Sequence, residues 1–288
     1  MKLYAIETGY FKLDGGAMFG VVPKTLWNKR HPADENNLCT WAMRCLLVEH
    51  EGRLILIDNG MGDKQDVKFF SYYGPHGEAS LKSSLAVHGF HPSDITDVFL
   101  THLHFDHCGG GVQRSGNGYA LTFPNATYWS NEYHWNWAID PNAREKASFL
   151  PENILPIEES GHLRFVDIGR RSNEENVYVR NVFPNFDVFL VNGHTDAQMI
   201  PHINYKGRTV VFMADLFPSV HHLPLPWVMG YDTRPLLTLD EKKDMLEIAS
   251  QRDFVLFFEH DAHHECITVQ KTEKGYGVKD IFKLSDLG

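Results

Sequence analysis

The sequence predicts an α+β protein in which two β-sheets carry helices on their outer faces. Three observations support this. Apolar runs of strand length dominate both halves of the chain, and only two segments carry a helical pattern, each lying between strands. No internal repeat, low-complexity tract or Pro/Gly/Ser-rich linker interrupts the 288 residues, so a single domain over 1–288 is expected.

The elements follow in order. Met1 to Phe11 is extended and half-apolar. Arg44 to Val48 and Leu54 to Asp58 are apolar runs on either side of the Glu51-Gly52 turn, the pattern of a β-hairpin. Asp14 to Asn37, rich in glycine and large apolar residues, reads as an irregular loop. A helix is expected from about Gly77 to His88, stopped by Gly89. Asp97 to Thr101 is a short buried strand. Further strands are expected at Asp187 to Asn192, Met199 to Tyr205, Arg208 to Ala214 and Phe254 to Phe258. A second helix, Leu239 to Ala249 capped by Thr238, precedes the last of them.

Composition narrows the function. The formal net charge is −10 and no run of Lys or Arg exceeds two, which argues against a nucleic-acid partner and towards small molecules. Glu7 falls where a signal peptide needs its apolar stretch, and no segment approaches the ~18 apolar residues of a membrane span. The four cysteines, Cys39, Cys45, Cys108 and Cys266, are irregularly spaced and read as reduced thiols. A cytoplasmic protein without a membrane partner is the expectation.

The chemistry concentrates in His102-Leu103-His104-Phe105-Asp106-His107. At a strand end, alternate residues point the same way, so His102 and His104 converge on one metal when the chain turns. Asp106 and His107 present an oxygen and a nitrogen to a second ion. Gly109, Gly110 and Gly111 let the backbone bend tightly beside them. Four potential ligands within six residues, between a buried strand and a glycine run, argue against a surface histidine cluster. No GxSxG, HExxH or phosphate-binding loop is present.

This run resembles the HxHxDH hallmark of the metallo-β-lactamase superfamily, and the remaining ligands of that family have matches in order along the chain. His194 follows one strand, Asp215 ends another and His260 follows the last core strand. The resemblance implies an αββα sandwich, two mixed β-sheets flanked by helices. It implies that His102, His104 and His194 hold one divalent ion, that Asp106, His107 and His260 hold another, and that Asp215 bridges both. Asp58 matches the family's aspartate that orients a metal-bound histidine. Nitrogen and oxygen ligands without thiolate suit Zn²⁺, with Mn²⁺, Fe²⁺ or Co²⁺ as alternatives. Two such ions sharing a water generate a bridging hydroxide, and Asp106 is placed to accept or relay a proton.

Two stretches, Leu13 to Trp27 and His221 to Asp232, are similar to the quorum-quenching lactonases that open N-acyl-homoserine lactones. The resemblance implies a small-molecule ester or lactone substrate and a homodimer. Met18, Phe19, Trp227 and Met229 are candidates for an apolar acyl pocket. Those lactonases place a tyrosine three residues after the bridging aspartate, where this chain has Pro218; His221, His222 or Tyr231 is the expected replacement donor. The alternatives are a phosphotriesterase resembling methyl parathion hydrolase, or another esterase of this fold, and a non-catalytic metal-binding protein. Around His260, the residues His263, His264 and Glu265 read as a solvated turn. Cys108 reads as a small buried residue, sensitive to oxidation if near the metals.

Overall fold

A computed structural model describes residues 1–169 and 177–287. The chain divides into two compact units, one made of Met1–Gly9 and Met43–Arg171, the other of Tyr10–Ala42 and Ser172–Gly288.

The first unit is organised on a six-stranded sheet in the order Lys2–Asp14, Leu38–His50, Arg53–Ile57, Asp97–Phe99, Thr127–Ser130 and Leu163–Phe165, whose first two strands also contribute residues to the second unit. The predicted hairpin pairs Leu46 with Ile57 and His50 with Arg53. Its turn residues, Glu51 and Gly52, both have positive φ (49° and 75°), as a two-residue hairpin turn requires. From Arg53–Ile57 outward the strands are parallel, which demands cover on both faces. Asp97, Val98 and Phe99 are accordingly all buried, and the apolar core gathers Leu47, Leu56, Val98, Leu100, Phe123 and Trp135.

The helix expected from Gly77 is shorter, Leu81–Val87. Ser80 fixes its start by accepting from the Ser83 amide, and Gly89 (φ 82°) follows its end as expected. Composition alone gave no warning of Val67–Tyr73, a short helix set between Asp66, whose carboxylate accepts from the Phe69 amide, and left-handed Gly74.

The second unit carries a seven-stranded sheet in the order Gly275–Phe282, Cys266–Thr272, Val255–Phe257, Arg208–Phe212, Gln198–Tyr205, Phe186–Val191 and Tyr178–Phe183. Four of these strands were expected within two residues at either end. Arg208–Phe212 and Val255–Phe257 are parallel neighbours, and the helix Pro235–Arg252 lies between them in sequence. That helix extends beyond the expected Leu239–Ala249. Pro235 occupies its first turn, where a missing amide hydrogen costs nothing, so Thr238 is inside the helix rather than its cap. Asp14 to Asn37 is also more regular than expected. Asp14 caps a helix at Gly15–Phe19 through the Ala17 amide (2.8 Å), and a second short helix spans Lys24–Trp27.

All four cysteines are buried and none is in a disulfide. Among the described residues no helix is long and apolar enough to cross a membrane.

Candidate metal centre

In the first unit, the buried strand Asp97–Phe99 runs through Leu100 and Thr101 into the histidine run. His102, His104, Asp106 and His107 are all buried. His102 Nε2 lies 3.1 Å from His104 Nδ1, with ring centres 4.6 Å apart, so the two imidazoles converge. Asp106 and His107 sit on a single helical turn, Phe105–Cys108, where Asp106 Oδ2 is 3.8 Å from His107 Nε2.

Asp58, immediately after the strand Arg53–Ile57, accepts from the Thr101 amide (2.8 Å) and hydroxyl (2.7 Å) and lies 3.1 Å from His107 Nδ1. This contact holds the His107 ring from its Nδ1 side. Two further residues were missed by sequence reasoning. Glu145, buried and bonded to the Trp137 indole, lies 3.5 Å from His104 Nε2, and His134 Nε2 accepts from the Leu103 amide (2.8 Å). Neither belongs to a motif; each is identified only by its neighbours in the fold.

The glycine run serves a different purpose from the one expected. Gly109 has ordinary right-handed geometry (φ −63°, ψ −34°), so a tight bend does not demand glycine there. Space does. A Cβ on Gly109 would lie 2.1 Å from the Met61 carbonyl oxygen, and one on Gly110 would lie 2.0 Å from that of Asn59. The segment 59–61 is laced onto the run by Asn59 N to His107 O (2.8 Å) and Gly110 N to Gly60 O (2.8 Å), while the buried Lys64 ammonium donates to the Gly109 carbonyl. Gly110→Ala must therefore push two backbones apart. It is expected to cost about 3 kcal/mol or more and to reduce bound metal, as read by denaturant unfolding and metal analysis. A variant of wild-type stability would refute the close-approach account.

In the second unit, three strand ends deliver His194, Asp215 and His260. Asp215 offers one carboxylate oxygen to each imidazole: Oδ2 is 3.1 Å from His194 Nε2 and Oδ1 is 3.2 Å from His260 Nε2. Each ring is oriented from behind. Asp232 Oδ1 lies 3.0 Å from His194 Nδ1, and the Ala42 carbonyl lies 2.7 Å from His260 Nδ1. The His194 loop is anchored by Glu241, whose carboxylate accepts from the amides of Asn192 (2.6 Å) and Gly193 (3.0 Å). Burial opposes charge on His194, yet the Asp215 and Asp232 carboxylates outweigh it and hold the imidazole up at about 10. A field of that sign favours a cation between these residues.

The donor chemistry fits divalent metals. Every donor is an imidazole nitrogen or a carboxylate oxygen. Cys108 is no thiolate: its thiol donates to the Leu103 carbonyl (3.3 Å), and burial pushes its pKa up to about 12. Beside Asp106 lies an aromatic wall that the sequence did not reveal. Phe69 and Tyr73 pack on Phe105 at 5.2 and 4.6 Å between ring centres. Burial first, and the Asp106 charge second, raise the Tyr73 phenol to about 12 and keep its proton in place.

The two stretches around Phe19 and Trp227 come together in the second unit, where Gly230 N donates to the Ala17 carbonyl (2.7 Å). Two expectations need correction. His222 is fully buried, with Nε2 2.9 Å from the Met18 carbonyl and Nδ1 2.9 Å from the Ser219 hydroxyl. Both ring nitrogens are engaged, and burial lowers its pKa to about 3, so it is a packing residue rather than a donor to substrate. Phe19 is likewise enclosed, stacked on His222 (4.7 Å) and Trp27 (5.1 Å), and Met18 and Met229 are buried beside this cluster's segments. Met18, Phe19 and Met229 are thus buried within the unit. Trp227 meets Phe19 edge-on at 5.9 Å and lies under the Arg30 guanidinium, His221 is half-buried, and Tyr231 is 38% exposed.

The loop bearing Trp227 is fastened by Lys242, a buried ammonium that donates to the carbonyls of Pro224 (2.8 Å) and Trp227 (2.9 Å). Burial lowers Lys242 from 10.5 to about 7. Between those values the unfolded chain binds a proton that the folded chain lacks, so this lysine makes stability rise with pH. Lys242→Met removes the term. Urea unfolding from pH 7 to 10 is expected to show wild type gaining on the variant with rising pH; parallel profiles would contradict the assignment.

The sequence model of the metallo-β-lactamase superfamily matches residues 44–260, and the chain belongs to this superfamily of metal-dependent hydrolases and has its fold. Within it, the chain is similar to N-acyl homoserine lactonases. That of Bacillus thuringiensis is 25% identical over 277 residues, covering 92% of this chain and 94% of its own. The Bacillus cereus lactonase is 24% identical over the same shares. Among solved structures, a probable metal-dependent hydrolase from Staphylococcus aureus is 28% identical with a TM-score of 0.85, covering 98% of this chain and 96% of its own. A dizinc quorum-quenching lactonase in complex with a product shares the fold at 23% identity, with a TM-score of 0.76 over 96% of this chain and 93% of its own.

Proposed function

We propose that the two units act as one catalytic domain whose ligand sets serve a dinuclear zinc centre, and that the protein opens the lactone ring of N-acyl-homoserine lactones. On this reading, His102 and His104 would hold one ion together with His194 and Asp215, and Asp106 and His107 the other together with His260. The observation that supports a lactone over other esters is the likeness to N-acyl homoserine lactonase over 92% of the chain.

When bound, two divalent ions supply Lewis acidity towards the carbonyl and a nucleophile drawn from water at neutral pH. The protein's own residues do the rest. Asp58, Asp232 and the Ala42 carbonyl fix the ring orientations of His107, His194 and His260. Asp106 accepts and passes on the proton that the departing alkoxide needs. Phe69, Tyr73 and Phe105 offer an apolar wall to the acyl chain, and the Tyr73 phenol, still protonated, is a hydrogen-bond donor on that wall.

Ring opening creates a carboxylic acid, so the test follows proton release from a medium-chain N-acyl-homoserine lactone by the zinc-loaded protein. Turnover that chelation abolishes and zinc restores is expected. Silence from a protein carrying two zinc ions would remove the lactone reading and bring phosphotriesters forward.

A further inference from the structure

We propose, on the reading that the histidine run holds metal, that Glu145 is a positioning residue for His104: its carboxylate keeps the proton on Nε2 of that ring and leaves Nδ1 as the atom offered to the ion. All of the groups involved belong to the first unit.

The turn that carries Glu145 faces water. Asn142, Ala143, Arg144, Lys146 and Ala147 are exposed, and Glu145 alone among residues 142–147 is turned inward, to 3% exposure. A carboxylate taken out of water in this way is costly unless donors surround it. The turn is built to hold it there. The Asn142 side-chain oxygen accepts from the amides of Arg144 (2.9 Å) and Glu145 (3.2 Å), and the Glu145 carbonyl accepts from the Ser148 amide (2.8 Å). One carboxylate oxygen, Oε2, accepts from the Trp137 indole (2.8 Å) and from the Asn142 side-chain amide. With Oε2 so fixed, the other oxygen, Oε1, is set 3.5 Å from His104 Nε2.

The same segment fixes the ring in two further ways. The Ser148 carbonyl accepts from the Phe105 amide (3.0 Å), which ties the turn to the residue next to His104. Phe149 packs on the imidazole at 4.7 Å between ring centres. The two nitrogens of His104 thus have opposite surroundings. Nδ1 lies 3.1 Å from His102 Nε2, on the side where the two imidazoles converge, and Nε2 lies towards a carboxylate. An anion attracts the N–H edge of an imidazole and repels its lone pair, so the neutral ring is protonated at Nε2. The lone pair is then on Nδ1, and the carboxylate behind the ring raises its basicity as a ligand.

A purely structural Glu145 would only have to accept from Trp137 and Asn142. Glutamine does that equally well: its carbonyl oxygen replaces Oε2, and its amide group then stands where Oε1 faces His104. That exchange sets a donor against an N–H and favours the other tautomer, with the proton on Nδ1. Glu145→Gln therefore separates the two roles.

The test compares full-length wild type with Glu145→Gln. Competition with a chelator measures zinc affinity, and thermal unfolding without zinc measures the fold. Nitrogen-15 NMR of the zinc-loaded protein, with His104 assigned through its own Cβ and backbone, reads which ring nitrogen carries the proton. Wild type is expected to show a protonated Nε2. The variant is expected to bind zinc about 10–100-fold more weakly while unfolding at the wild-type temperature. Unchanged zinc affinity in the variant overturns the proposal, and so does a wild-type His104 protonated at Nδ1, a result that needs no variant to fold. A wild type that takes up no zinc overturns the proposal together with the metal centre. Neither readout involves lactone turnover, so a failed lactone assay leaves these outcomes distinct.

Discussion

Asp215→Ala is expected to lower kcat/KM by at least about 10³-fold, the scale on which losing a group that acts on developing charge is felt. The geometry gives the reason. One carboxylate faces two imidazoles, His194 at 3.1 Å and His260 at 3.2 Å. Alanine leaves two buried rings with nothing to share and withdraws the negative charge that favours a cation there. Metal content should fall together with rate. Asp215→Asn separates charge from shape: it preserves the packing but not the field, and should resemble alanine in activity while retaining more of the wild-type stability. The measurement is zinc per chain alongside initial rates; an alanine variant that kept its metals and its rate within tenfold would remove Asp215 from the centre.

Asp58→Ala should have the second largest effect, and on two observables at once. The carboxylate occupies a fully buried position with a left-handed backbone (φ 55°), accepts both Thr101 donors and faces His107. Removing it leaves the buried Thr101 amide unsatisfied and takes one of two partners from its hydroxyl, which costs roughly 2–3 kcal/mol. It also frees His107 to turn, and loss of such an orienting partner typically lowers metal affinity by about 10–100-fold. Denaturant unfolding of the apo-protein measures the first effect and competition with a zinc chelator the second. Lost stability with unchanged affinity would show that Asp58 supports the strand end alone.

The candidate ligands were legible to different degrees. His102 to His107 announce themselves because four donors crowd into one strand end, and the alternation of a strand needs no tertiary information. His194, Asp215 and His260 are single residues after apolar runs, and only the family pattern distinguishes them from turn residues. Four strands of the second sheet were found within two residues at either end, since buried strands read as unbroken apolar runs, whereas Leu38–His50 begins six residues before the expected Arg44 and Thr127–Ser130 and Leu163–Phe165 were not expected. Helix ends were less legible. The capping pair Ser80 and Ser83 and the start at Pro235 depend on local side-chain geometry that periodicity does not record.

The sequence by itself determined which chemistry this chain carries: imidazole and carboxylate donors placed where strands end, on an acidic chain without a basic face. Tertiary structure alone decided how those donors are aimed and which neighbouring residues serve packing. The partners that orient His194, His107 and His260 lie 38, 49 and 218 residues away in the chain, respectively. Phe19, a candidate for the substrate pocket, and His222, a candidate replacement donor, are stacked on one another in an enclosed aromatic cluster. The physical reason is range: strand alternation and helical periodicity act over a few residues, whereas a histidine's orientation and burial are set by whatever the fold packs against it.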